Sequence, residues 1–193
     1  MFKSAEIRES ARKYLAPPLN RLVSVIRLSP NMLTVTGFIV TVGAGYVISR
    51  GYFPLGGIII LVAGFFDILD GAVARARNLT TKFGAALDST LDRFGEAALF
   101  LGLLLFYLSS GNNTNVVLVY ISLVGSILVS YVRARAEGLG LKGERGFFTR
   151  PERIIVLAAG LIINQVTIVL WAFAILTHLT VVQRLMETWK QGK

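Results

Sequence analysis

The chain has 193 residues, 54% of them hydrophobic and only 16% charged, with a mean hydropathy of +0.64 and a net charge of +9. A water-soluble domain carries roughly 25% charged residues, so this chain lacks the polar surface to cover itself in water; its long apolar runs indicate a polytopic α-helical membrane protein, and because they do not alternate they exclude a transmembrane barrel. The absence of cysteine excludes a disulfide framework and thiolate metal sites, while positive charge clustered between apolar runs argues against nucleic acid and for anionic lipid or phosphorylated substrates.

Residues 1–29 mix basic residues such as Lys3, Arg8, Arg12 and Arg21 with apolar ones, and break at Pro17-Pro18. This suits a juxtamembrane amphipathic helix rather than a disordered basic leader; with no apolar h-region, no cleaved signal is expected. Ser29-Pro30-Asn31 opens a first span over about 32–49, and Arg50-Gly51-Tyr52-Phe53-Pro54 turns into a second from about 55. The third runs from near Phe83 to about Leu108 and the fourth over about 116–134. A charged, Gly-rich loop is expected at 137–153, and Asn164-Gln165 divides the long run from Ile154 to Met186 into a short fifth and a sixth helix. The expected fold is therefore all-α, a single domain of six transmembrane helices over 30–193. Lys and Arg number six in the leader, three in 75–82, six in 133–153 and three from 184 onward, while the opposite-side loops hold Arg50 alone. That asymmetry places both termini in the cytoplasm, with the charged loops.

All four aspartates fall within 67–92: Asp67, Asp70, Asp88 and Asp92. Asp67 and Asp70 are spaced i,i+3, and Asp88 and Asp92 i,i+4, so each pair lies on one helical face. The pairs sit at the cytoplasmic ends of the second and third spans. Four carboxylates aimed at one volume would repel and lose hydration, and divalent cations are the natural compensation. Ligands that are all oxygen select hard ions, Mg²⁺ or Mn²⁺. Two such ions suit phosphoryl displacement, and a carboxylate not committed to metal can accept a hydroxyl proton; Asp92, last in the array, is the candidate. Gly71 and Gly84 allow close approach of helix and ligand, and Arg75 could meet a phosphate. The competing explanation is an ion-permeation or proton-relay site in a cation-coupled transporter, although a relay has no need of the interleaved glycines and arginine.

The pattern D-x2-D-G-x2-A-R-x8-G-x3-D-x3-D, carried here by Asp67, Asp70, Gly71, Ala74, Arg75, Gly84, Asp88 and Asp92, resembles the signature of CDP-alcohol phosphotransferases. The resemblance implies transfer of a phosphatidyl-type group from a CDP-linked lipid to an alcohol, with release of CMP. It implies that Asp67, Asp70 and Asp88 hold metal, and that Asp92 is the base as well as the fourth member of the metal set. Asp67, Gly71, Ala74, Arg75 and Gly84 would face the CDP-lipid, with Asn31 and Thr34 near the nucleotide. Y-V-R-A-R-A-E-G at 131–138 and R-P-E-R at 150–153 are similar to the branch that makes phosphatidylinositol phosphate or its archaeal ether-lipid counterpart. On that resemblance Arg133, Arg153 and Arg184 hold the acceptor's phosphate and inositol phosphate is the first choice of acceptor. Glycerol 3-phosphate also carries a phosphate, so a phosphatidylglycerophosphate synthase stays open. Family members often pair, so a homodimer is an expectation of the same kind.

Arg135 and Arg150 are equally well explained as topology signals. His178 is expected to pack between helices, Trp171 and Trp189 to anchor at the interfaces, and Gly43, Gly45, Gly56 and Gly57 to let helices pack closely. Glu96, one turn beyond Asp92, either orients the site or makes a packing hydrogen bond.

Overall fold

The computed structural model describes residues 28–143 and 146–192. The amphipathic helix expected over 1–29 falls almost wholly on residues 1–27, outside the described residues. Six helices and no strand make up the described residues: α1 (Pro30–Ser49), α2 (Phe53–Ala76), α3 (Lys82–Ser109), α4 (Asn113–Gly138), α5 (Arg150–Ile162) and α6 (Val166–Gln191). Four of them, α1, α2, α4 and α6, are long and apolar enough to cross a membrane. The other two differ for distinct reasons. α3 carries Lys82, Asp88, Asp92, Arg93 and Glu96 between its first residue and its middle, and α5 has 13 residues, about 20 Å of helix against a hydrocarbon core of about 30 Å.

Local chemistry sets the helix ends. Ser29 accepts a hydrogen bond from the Met32 backbone N–H while Pro30 opens α1. Thr81 caps α3 by accepting from Gly84 N–H at 2.9 Å, and Asn112 caps α4. Asn78 ends α2 and Asn164 separates α5 from α6, both with positive φ, a conformation that asparagine tolerates better than most residues. Arg150 to Arg153, expected in the loop, form the first turn of α5 instead. Pro151 at the start of the helix lacks only an N–H that would have no partner there, and Thr149 donates its hydroxyl to Glu152. α4 likewise runs on to Gly138, past the expected end of its span.

Helix contacts follow the order α1, α2, α5, α6, α4, α3 and back to α1, so that each helix packs on two others in a closed ring. Backbones come very close along it: a Cβ on Gly102 of α3 would lie 2.2 Å from the Gly45 carbonyl oxygen of α1, and one on Gly125 of α4 would lie 2.0 Å from Thr177 Oγ1 of α6. Gly45, Gly56 and Gly57 are contact points as expected, but Gly43 is not, since nothing lies within 4 Å of a Cβ placed there. His178 is half-buried on α6 beside Gly125, its Nδ1 2.8 Å from the Ala174 carbonyl. The main core, including Leu99, Phe100, Leu103, Leu157, Leu170 and Phe173, fills the ring, and a smaller cluster joins Leu33 of α1 to Leu69, Ala72 and Val73 of α2. Outward positions such as Ile39, Leu61, Phe65, Ile168 and Ile175 are exposed and apolar, as are both tryptophans, which is the surface a lipid environment requires.

Candidate active site

α2 presents Asp67 and Asp70 one turn apart and α3 presents Asp88 and Asp92 one turn apart, as the spacing requires. Their partners differ. Asp70 is 7% exposed and accepts from the Thr34 hydroxyl of α1 at 2.6 Å. Asp67 and Asp92 converge on Arg150 of α5, whose Nη2 lies 2.7 Å from Asp67 Oδ2 and 2.6 Å from Asp92 Oδ1. Arg93 adds a longer contact to Asp92, 3.6 Å from Oδ2. Among the described residues no three His, Cys, Asp or Glu side chains converge closely enough to hold an ion. A cation already sits between two of the carboxylates, and it is an arginine.

Two clefts meet at this array. The first, about 540 Å³ of empty volume, is lined by Asn31, Thr34, Asp70, Gly71, Ala74, Arg75, Gly84 and Asp88. Every residue expected to face the CDP-lipid is there except Asp67, which lines a tighter crevice with Asp92 and Arg150. The glycines make room here. A Cβ on Gly71 would lie 3.1 Å from an Arg75 guanidinium nitrogen, and one on Gly84 would lie 3.1 Å from Thr81 Oγ1 and 3.2 Å from Asn31 Oδ1. The second cleft, about 1050 Å³, is lined by Asp88, Asp92, Arg93, Arg133, Arg150, Arg153 and Arg184. Asp88 borders both clefts.

The three expected acceptor arginines share that second cleft but are held differently. Arg133 is exposed on α4 and its Nε donates to Glu137 Oε1 at 2.8 Å. Arg184 of α6 is 4% exposed and donates to the Val129 carbonyl. Arg153 is 1% exposed, and its Nε and Nη2 donate to Glu96 Oε1 and Oε2 at 2.8 and 3.1 Å, while Nη1 lies 3.4 Å from the Phe148 carbonyl. Of the two readings left open for Glu96, the packing contact is present, joining α3 to α5 across the ring. Arg150 is the residue that sequence reasoning undervalued. A signal was available, because Arg150 and Arg153 lie i,i+3 in R-P-E-R and share a helix face once Pro151 is placed in a first turn. Arg135 is exposed and lines neither cleft.

The donor set fits hard divalent cations. The candidate ligand atoms are carboxylate oxygens, and two of them already lie within 2.7 Å of one positively charged nitrogen.

A family model described as CDP-alcohol phosphatidyltransferase matches residues 27–186. The archaetidylinositol phosphate synthase of Pyrococcus horikoshii is 38% identical over 185 residues, which cover 93% of this chain and 95% of that protein. Among solved structures, the crystal structure of Mycobacterium tuberculosis phosphatidylinositol phosphate synthase with CDP-DAG bound matches with a TM-score of 0.82 at 33% identity, over 91% of this chain and 94% of that one. The same protein in complex with manganese and citrate matches with a TM-score of 0.81 at 34% identity, over 89% and 88%. The chain belongs to the CDP-alcohol phosphatidyltransferase family.

Proposed function

We propose that this protein transfers a phosphatidyl-type group from a CDP-linked lipid to the hydroxyl of a phosphorylated polyol, inositol phosphate by preference, and releases CMP. The observation that carries the reading is the pair of clefts meeting at Asp88, one lined by the signature residues and the other by arginines. The M. tuberculosis relative with CDP-DAG bound and the P. horikoshii archaetidylinositol phosphate synthase support the donor and acceptor classes.

In this reading Asn31, Thr34, Gly71, Ala74, Arg75 and Gly84 hold the CDP portion, with Asp67 beside it. Asp67, Asp70 and Asp88, with Asp92 as the fourth carboxylate of the set, hold divalent ions, Mg²⁺ or Mn²⁺, for which the relative's manganese complex is the support. When bound, such ions supply positive charge against the pyrophosphate and the departing CMP. Arg133, Arg153 and Arg184 supply the positive field for the acceptor's phosphate. Arg153, tied to Glu96, contributes charge and position rather than a free fork. Asp92 takes the proton of the acceptor hydroxyl; the hydroxyl oxygen attacks the β-phosphorus, the bond from that phosphorus to the oxygen bridging to CMP breaks, and CMP departs with the bonding pair. The four apolar helices make the protein an integral membrane protein. The finer topology of six spans, with α3 and α5 completing the bundle and the active site and both termini in the cytoplasm, rests on the distribution of Lys and Arg. A single domain over the whole chain and a homodimer belong to the same reading.

The test is CMP release by the detergent-purified protein with CDP-diacylglycerol and Mg²⁺, comparing inositol phosphate, glycerol 3-phosphate, inositol and serine. Release with inositol phosphate is the expected result. Release with glycerol 3-phosphate alone would move the protein to phosphatidylglycerophosphate synthesis, and release with none, including from an ether-linked donor, would overturn the transfer reading.

A further inference from the structure

Arg150 stands between a pair of carboxylates and a cleft lined by other arginines. Its Nη2 bridges Asp67 and Asp92, and the same side chain lines the second cleft beside Arg133, Arg153 and Arg184. Its Nε is buried and has no hydrogen-bond partner, whereas Arg153, in a settled pair, uses Nε as well as Nη2 on Glu96. A guanidinium has five donors in a fixed fork suited to a phosphate. Arg150 thus has a buried donor unused beside the carboxylates, and it borders a cleft with room for an anion.

We propose that Arg150 is an exchangeable counter-ion that couples the metal site to the acceptor site. It neutralises Asp67 and Asp92 while they lack a divalent cation, and turns to the acceptor's phosphate when they take one. The inference rests on the metal-site reading of the aspartates given above. A divalent ion and a guanidinium compete for the same two carboxylate oxygens, because each needs them at contact distance and the two cations repel. A phosphate monoester in the second cleft draws Arg150 off the carboxylates and so favours metal. By thermodynamic reciprocity, metal favours the phosphate monoester by the same factor. The site then assembles fully only when both charged ligands are present, and a neutral polyol cannot trigger it.

The test uses the full chain in detergent, stripped of metal, without CDP-lipid. Binding of Mn²⁺ is followed by the electron paramagnetic resonance signal of the free ion, with and without inositol phosphate. In the wild type, inositol phosphate tightens Mn²⁺ binding by about 5- to 150-fold, the ordinary range of allosteric coupling, while inositol has no effect. In Arg150→Gln, Mn²⁺ binds more tightly than to the wild type without any acceptor, and the further tightening by inositol phosphate is lost. Equal Mn²⁺ affinity in wild type and Arg150→Gln, with equal response to inositol phosphate, would overturn the proposal while leaving the metal site intact. Should the variant fail to fold, a wild type whose Mn²⁺ affinity ignores inositol phosphate overturns it alone. A wild type that binds no Mn²⁺ under any of these conditions would overturn the metal-site reading, and the coupling with it.

Discussion

The Glu96–Arg153 pair is the contact whose loss can be worked furthest. Arg153 is 1% exposed and Glu96 6% exposed, and the fork-to-carboxylate geometry uses both oxygens, at 2.8 and 3.1 Å. Glu96→Ala leaves a buried guanidinium with one weak contact, to the Phe148 carbonyl at 3.4 Å. Arginine cannot shed its proton at accessible pH, so the charge stays. Breaking a buried ion pair by removing one partner costs about 3–5 kcal/mol, a large part of a typical folding free energy of about 5–15 kcal/mol. The assay is the melting temperature in detergent together with acceptor kinetics. Glu96→Ala should melt well below wild type, and Glu96→Leu combined with Arg153→Met should recover part of the loss, because the double change removes the stranded charge. The single variant should also raise the acceptor KM, since Arg153 holds the first turn of α5 that carries Arg150. Were Glu96→Ala to melt like wild type, with the acceptor KM unmoved, the reasoning that ties α5 to α3 through this pair would be refuted.

Other consequences follow from the same geometry. Gly102→Val forces side-chain atoms into the Gly45 carbonyl, where even a Cβ would lie at 2.2 Å, and should cost at least about 1–3 kcal/mol in a denaturation measurement. Gly43→Ala meets nothing within 4 Å and should be neutral or stabilise by up to about 1 kcal/mol through helix propensity. Gly84→Val crowds Thr81 and Asn31 at the mouth of the first cleft, and should raise the KM for CDP-diacylglycerol while leaving that for the acceptor unchanged. Chelation of divalent metal should stop CMP release, and Mg²⁺ or Mn²⁺ should restore it.

What was legible in the sequence was local. Asp67 with Asp70 and Asp88 with Asp92 lie within a turn of each other, so helical periodicity alone aligns each pair. Gly71 and Arg75, four residues apart, are seen stacked on one another for the same reason. Family membership then favours the transferase over the ion-relay explanation. The rest depends on how the ring closes. The Arg150 contact to Asp67 spans 83 residues and that of Arg153 to Glu96 spans 57, and nothing in the spacing of either partner announces the other. The start of α5 was misread because R-P-E-R looks like a charged loop until Pro151 is placed at a helix N-terminus. Gly43 was misread because a glycine facing open space and one facing a neighbouring helix have the same letter. Six spans were expected, but α3 mixes a charged, site-bearing half with an apolar one and α5 is only 13 residues long, so hydropathy alone identifies four.

The central claim is that the four-aspartate site carries the transfer, with Asp92 as the base, and Asp92→Asn tests it most directly. The measurement is CMP formation from CDP-diacylglycerol and inositol phosphate, made alongside Mn²⁺ binding in the same preparation. The account predicts turnover lower by about 10²- to 10⁴-fold, the usual contribution of a general base, with Mn²⁺ still bound. Wild-type turnover in Asp92→Asn would contradict it.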